Sequence, residues 1–266
     1  MTDHSSRYRL GFDIGGTFTD FVLVDSGAGV MRIHKCLTTP EDPSVGAIAG
    51  IGALLSDAGL TLADVGHLVH GTTLVTNAII ERRGAKVALM TTRGFRDVLE
   101  MGKQQRYDKH DLFLQFPEPL ASRDLRREID ERISRDGDAI VPIDENQVRG
   151  EAERLAAAGV EAIAVCFLHA YKNPAHERAA RDVIAASYPG ISVSISSEVQ
   201  PELREYDRVS TTTANAYVQP LMERYVRHLV EVVSDKGFRG RFHLIQSSGG
   251  LVAPEVAIRF PIRLLE

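Results

Sequence analysis

The segment Asp13-Ile14-Gly15-Gly16-Thr17-Phe18-Thr19-Asp20 constrains this chain more than any other stretch. Arg9 to Ile14 is spaced as a strand, Gly15-Gly16-Thr17 as a turn, and Phe18 to Val24 as a second strand. A turn-rich stretch to Gly29 then leads into a third strand, Val30 to Leu37. Such short connections predict an antiparallel meander. Glycines at the first turn carry no Cβ, so backbone N–H groups there can approach a phosphate closely. Gly15, Gly16, Thr17 and Thr19 form the expected phosphate-binding set, with Thr17 supplying a hydroxyl donor. Asp13, at the end of the first strand, is placed to hold a hydrated Mg²⁺ against the same phosphates. The segment is neither a Walker loop nor a dinucleotide fingerprint, because a strand and not a helix follows the glycines. A plain Gly-Gly hairpin is the alternative; the flanking Asp and Thr and the three successive strands favour phosphate.

Beyond Pro40 and Pro43 the pattern alternates. Val45 to Leu55 reads as a helix closed by Gly59, His67 to His70 as a strand, and the stretch to about Glu81 as a helix. Lys86 to Thr91 is a further strand and Gly94 to Met101 a short helix. This order predicts an α/β fold with a mixed sheet over residues 7–102. Residues 103–142, with Pro117 and Pro119, many charges and little periodicity, read as an irregular insertion or flap. Over 143–200, Asp144 caps a helix to about Ala158, Glu161 to Leu168 is a buried strand, Asn173-Pro174 opens another helix, and Ile191 to Ile195 is a strand. This second β-α-β unit is expected to extend or abut the first sheet. From 201 to 266 a long helix runs from about Ser210 to Ser234, with Pro220 expected to kink or split it, and Phe242 to Gln246 is a strand.

Composition excludes several classes. With 31 basic and 36 acidic residues the formal net charge is -5, and no basic stripe marks a nucleic-acid surface. The two cysteines, Cys36 and Cys166, sit in apolar runs and are expected to be reduced core residues. No apolar run approaches the roughly 18 residues of a membrane span, and the polar start has no signal-peptide pattern. A cytoplasmic location is therefore expected. The nine histidines show no zinc-ligand spacing; His67 and His70, on a strand, point to opposite faces.

A second candidate wall is His70-Gly71-Thr72-Thr73, where a histidine ends a strand, glycine turns the chain and two hydroxyls open a helix. His70, Thr72 and Thr73 are expected to contact substrate or the terminal phosphate, and Asn77, one turn later, to orient the same group. Helix capping is the competing explanation for the threonines. Arg93 and Arg96 flank another strand-to-helix turn and are candidate anion contacts. Arg204, Glu205, Tyr206 and Arg208 form a polar cluster that ion pairs would explain. Ser248 and Gly249 lie in a second glycine turn, Ser247-Ser248-Gly249-Gly250, and are candidate substrate contacts.

These motifs, together with Thr91-Thr92-Arg93-Gly94-Phe95-Arg96-Asp97, Gly159 to Cys166, Asn173-Pro174-Ala175-His176-Glu177, Asn215-Ala216-Tyr217-Val218 and Gln246 to Leu251, resemble the hydantoinase A and 5-oxoprolinase family. The resemblance runs from about Arg7 to Glu266, and departs from the family pattern at Ser248, where asparagine is expected. It implies the N-terminal lobe of the actin, sugar-kinase and Hsp70 superfold, with a ribonuclease-H-like mixed sheet and flanking helices. It implies ATP and Mg²⁺ as cofactors, and a cyclic amide as substrate, opened by water after phosphorylation of its carbonyl oxygen. A related branch carboxylates ketones through an enol phosphate. The resemblance also implies a second large subunit or fused partner domain. Residues 201–266 would begin the family's catalytic region, truncated. No second Asp-x-Gly-Gly-Thr follows Gln246, so the expectation is half of an ATP site, from a fragment or a truncated relative. A small-molecule kinase of the same superfold and a non-catalytic assembly lobe are the other function classes compatible with the residues.

Overall fold

The computed structural model describes residues 7–39, 42–103 and 108–265. Its strands are β1 (Tyr8–Ile14), β2 (Phe18–Asp25), β3 (Val30–Leu37), β4 (Val65–Thr72), β5 (Val87–Thr92) and β6 (Arg126–Ile129). Then come β7 (Arg132–Ile133), β8 (Ala139–Val141), β9 (Ala162–Cys166), β10 (Ser192–Ile195), β11 (Arg241–Ile245) and β12 (Leu251–Val252). The α-helices are α1 (Pro43–Asp57), α2 (Leu74–Ile80), α3 (Val98–Met101), α4 (Glu145–Ala157), α5 (Ala175–Ser187), α6 (Ser196–Val199), α7 (Glu205–Asp235) and α8 (Pro254–Arg259).

Two units divide the chain. The first comprises residues through Arg83 together with those from Leu221 onward; the second is the continuous segment Gly84–Pro220. In the first, a mixed sheet has the order β12-β11-β4-β1-β2-β3. The β1-β2-β3 meander is antiparallel, while β4 and β11 run parallel to β1 and to each other. Alternation decides which side chains enter the core: Leu10, Phe12 and Ile14 of β1 are buried, as are Phe21 and Leu23 of β2. Ala47, Ile51, Leu54 and Leu55 of α1 pack into the same core, joined by Leu229 and Val233 of α7. Asp42 caps α1, accepting from the Ser44 amide at 3.0 Å and the Ser44 hydroxyl at 2.6 Å.

The second unit holds an all-parallel sheet, β10-β9-β5-β6, and a two-stranded β7-β8 ribbon. Every residue of β5 and β9 is buried, the signature of central parallel strands. Asp144 caps α4 at 2.9 Å from the Asn146 amide, as its sequence position predicts. The Asn173 to Glu177 motif also serves the fold. Glu177 is fully buried and accepts from the Phe167 and Ser197 amides and the Ser196 hydroxyl, tying the end of β9 to the start of α6.

The expected α/β architecture is present, with three differences in detail. First, β5 pairs with β6 and β9 and not with the first sheet, so the division falls between Arg83 and Gly84 and not at residue 102. The β9-α5-β10 unit accordingly builds a sheet with β5 instead of extending the first. Second, the stretch read as irregular contains β6, β7 and β8 beyond residue 125, although residues 108–121 hold neither helix nor strand. β6 is an edge strand of its sheet. Third, α7 runs unbroken through Pro220 and starts earlier than expected. Pro220 removes the bond to the Ala216 carbonyl, and next to it the Tyr217 carbonyl accepts from the Ala85 amide at 2.8 Å.

Candidate functional site

In the first unit, β1, β4 and β11 are parallel, so their C-terminal ends share one sheet edge. Ligands of open α/β sheets bind at such edges. The β1-β2 hairpin closes with a bond from the Gly15 amide to the Phe18 carbonyl at 3.0 Å. Around Gly16 the space that a Cβ would occupy is open, with no heavy atom within 4 Å. Glycine there serves approach from outside, the arrangement a phosphate cradle needs.

Thr38, one residue beyond β3, pins this hairpin. Its hydroxyl donates to the Gly15 carbonyl at 2.8 Å and lies 3.0 Å from the Thr19 hydroxyl, while its amide donates to the Thr17 carbonyl at 2.9 Å. Thr19 is fully buried, so it reaches the turn only through Thr38. Thr17 is exposed.

A cleft of about 400 Å³ brings the two sequence-predicted walls together: Gly15 and Gly16 on one side, Thr72, Thr73 and Asn77 on the other. Thr38 and Tyr225 also line it. The Thr72 oxygen accepts from the Leu74 amide at 3.1 Å, and the Thr73 oxygen accepts from Asn77 Nδ2 at 3.3 Å. Each hydroxyl thus has one lone pair engaged and, among the described residues, no acceptor for its own proton.

His70 departs from the expected contact role. It is fully buried, its ring stacked on Phe12 at 4.3 Å between centroids, with Nε2 2.7 Å from the Tyr225 hydroxyl. Burial lowers its pKa to about 3, partly opposed by the Phe12 carbonyl. The histidine is neutral and touches the cleft through Tyr225. Burial likewise pushes the Tyr225 phenol well above its usual range, with Asp42 adding to the effect.

Asp13 lies in a row that crosses four strands, Gly71 on β4, Asp13 on β1, Asp20 on β2 and Lys35 on β3. Lys35 pairs with Asp20 at 2.8 Å, and Asp13 is exposed, with no ion pair among the described residues. A Cβ on Gly71 would stand 3.0 Å from Asp13 Oδ1, so glycine makes room for it. Among the described residues no three His, Cys, Asp or Glu side chains are grouped to hold a metal. One carboxylate suits Mg²⁺, which keeps waters and takes further oxygens from phosphates.

The remaining candidates lie elsewhere. Ser248 and Gly249 form an exposed turn between β11 and β12, closed by bonds between Gln246 and Gly249 and between Gln246 and Gly250, with Gly249 at φ 84°. They belong to the same sheet edge but do not line the cleft. Arg93 and Arg96 belong to the second unit; Arg93 pairs with Asp130, and Arg96 buries an Nε without a partner. In the Arg204 to Arg208 cluster the expected neighbour ion pairs do not include Arg208. That side chain is 1% exposed, its Nε and Nη1 have no hydrogen-bond partner among the described residues, and it lies over the Tyr171 ring at 5.7 Å. Both cysteines are free. No described helix is long and apolar enough to cross a membrane.

Sequence reasoning missed Thr38 and Tyr225. The hairpin register could have placed Thr38, since Phe18 faces Leu37 and the next residue must meet the turn. Tyr225 is 155 residues from His70 and carries no local signal.

Known proteins share the fold. The "Hydantoinase/oxoprolinase N-terminal region" matches residues 9–187, and "Hydantoinase/oxoprolinase" matches 208–266. The caprolactamase subunit alpha of Pseudomonas jessenii is 37% identical over 95% of this chain and 37% of its own length. The 5-oxoprolinase of Saccharomyces cerevisiae is 32% identical over 92% of this chain and 22% of its own. The crystal structure of the ATP-dependent caprolactamase from Pseudomonas jessenii superposes with a TM-score of 0.85 at 36% identity, covering 93% of this chain and 36% of that one. The nucleotide-free structure of acetone carboxylase gives 0.85 at 28%, covering 97% and 39%. The chain therefore spans well under half the length of the relatives it matches. With both consecutive regions matched in order, the chain belongs to the hydantoinase/oxoprolinase family.

Proposed function

We propose that this chain is the N-terminal, phosphate-binding lobe of an ATP-dependent hydrolase that opens a cyclic amide, a lactam or a hydantoin. The observation that carries the reading is the single cleft in which Gly15 and Gly16 face Thr72, Thr73 and Asn77. An amide carbonyl is a poor electrophile because the nitrogen lone pair is delocalised into it. Mg-ATP, when bound, would supply a phosphoryl group to that carbonyl oxygen and so give water a carbon bearing a good leaving group. The residues of this chain position and neutralise charge. The hairpin around Gly15 and Gly16 offers its open face to phosphate oxygens, held in shape by Thr38 and, behind it, Thr19. Thr72 and Thr73 donate their free hydroxyl protons, and Asn77 fixes Thr73. Asp13 holds Mg²⁺ through water. Ser248 and Gly249, on the same sheet edge but outside the cleft, are further candidate contacts to the substrate, whereas Arg93 and Arg96 belong to the second unit and have no part in this cleft.

The work is shared with a second large subunit or fused partner domain. The naming of the Pseudomonas jessenii relative as a subunit, and the small share of it matched here, support this. The test is ATP hydrolysis by the full-length protein with its partner, assayed with ε-caprolactam, hydantoin and 5-oxoproline. The expected result is ADP and phosphate formed together with a ring-opened product, and loss of both in Gly16→Val. Phosphoryl transfer to a stable product without ring opening would identify a kinase and overturn the proposal.

A further inference from the structure

Tyr225 lines the cleft, and its hydroxyl lies 2.7 Å from His70 Nε2. On the other side of the ring, His70 Nδ1 lies 3.4 Å from the Phe12 carbonyl oxygen. Among the described residues, the rings of Phe12, Tyr225 and Phe242 lie against the histidine, and none of the three is charged. A carbonyl can only accept, so the nitrogen facing it must carry the proton. A neutral imidazole has one N–H. With that proton on Nδ1, Nε2 presents a lone pair, and the Tyr225 hydroxyl must donate to it. The only proton of the phenol is then committed inward, and its oxygen faces the cleft with lone pairs alone.

We propose that Tyr225 is a specificity-determining residue of the cleft, an obligate hydrogen-bond acceptor that takes an N–H of the ligand, with His70 as the buried positioning residue that fixes it so. The proposal rests on the reading that this cleft holds the reacting ligand. Phosphate oxygens are acceptors and are turned away from the Tyr225 corner toward the hairpin amides and the hydroxyls of Thr72 and Thr73. The N–H of a secondary cyclic amide is the group that fits at Tyr225. An N-alkylated ring loses that bond and leaves the oxygen facing a methyl group.

Two measurements on this chain test it. Ring ¹⁵N NMR, with His70 assigned by its disappearance in His70→Gln, should show a neutral ring protonated on Nδ1 between about pH 5 and pH 8. A proton on Nε2, or a charged ring, overturns the proposal. Titration with 2-pyrrolidinone and N-methyl-2-pyrrolidinone should show the N–H lactam bound roughly three- to tenfold tighter, the worth of one hydrogen bond, and Tyr225→Phe should abolish the preference. Equal binding, a preference that survives Tyr225→Phe, or binding of neither lactam overturns it. The Gly16 amide, followed with Mg-ATP in the same samples, reports on the phosphate reading separately, and the histidine tautomer is read whether or not that amide responds.

Discussion

At the scale of single residues, the row Gly71-Asp13-Asp20-Lys35 explains why an acidic residue can end β1 without a partner. Lys35 neutralises Asp20, and the missing side chain of residue 71 leaves Asp13 its space. Gly71→Ala would place a methyl 3.0 Å from Asp13 Oδ1 and force the carboxylate aside. We expect that change to weaken Mg-nucleotide binding about tenfold, equivalent to one charge-assisted contact, with little change in the melting temperature. Calorimetric titration of Mg-ATP into the full-length protein checks it, and unchanged affinity would remove Asp13 from the metal's surroundings. His70 makes a second prediction, about pH. Its ordinary value of 6.5 falls to about 3 in the folded chain. The unfolded chain therefore binds a proton first as the pH drops. The stabilisation from a neutral His70 is complete above about 6.5 and is lost progressively toward 3. Between about pH 7.5 and pH 5 the loss attributable to this one group is roughly 2 kcal/mol. Urea unfolding at the two pH values should show a steeper decline for the native chain than for His70→Gln, and equal declines would mean that the ring is charged or solvated.

At the scale of elements, most of the fold is legible in the sequence because periodicity and punctuation are local. Asp144 before α4 and the hairpin glycines are read from neighbours a few residues away, and the elements stand where expected. What periodicity lacks is the identity of a strand's partner. The apolar run of β5 fits either sheet, and its pairing with β9 across more than seventy residues is decided by packing. The same limit governs the site. Gly15, Gly16, Thr72, Thr73 and Asn77 were legible because each sits at a strand-to-turn or strand-to-helix junction. Burial of Thr19 and His70 was not, since exposure at a strand end depends on what later elements lay over it. Arg208 shows the limit most sharply. Its cluster with Arg204, Glu205 and Tyr206 suggests ion pairing, yet among the described residues the guanidinium is buried with Nε and Nη1 unpartnered. A buried charge without a counter-ion costs several kcal/mol, whereas a contact with one aromatic face returns at most about 2 kcal/mol. Arg208→Met keeps a long, flexible side chain and removes the charge. The expected outcome is a gain of about 1 kcal/mol or more in the denaturant midpoint analysis. A loss of stability would show that Nε and Nη1 are satisfied in solution.

At the scale of the whole molecule, the two units differ in how the chain builds them. The first needs both ends of the described sequence, because β11 completes the sheet begun by β1 to β4, and Leu229, Val233 and Phe242 complete its core. The second is drawn from one continuous segment, Gly84–Pro220, whose four-stranded sheet and core cluster lie entirely within it. A segment with its own sheet, its own helices α4 and α5 and its own buried core meets the conditions for independent folding. The candidate cleft lies wholly in the first unit, so the two properties are separable. We expect residues 84–220, expressed alone, to give helix- and strand-containing circular dichroism and one cooperative urea transition, and to bind no nucleotide. Residues 1–83, expressed alone, lack the strand that pairs with the outer edge of β4 and the helix that closes their core, and should not unfold cooperatively. The steepness of the urea transition decides the first claim, because it scales with the surface exposed on unfolding. A shallow, non-cooperative curve for 84–220 would mean that its core depends on α7 beyond Pro220. A steep one would establish that the cleft-bearing unit carries, between Arg83 and Leu221, a domain that folds without it.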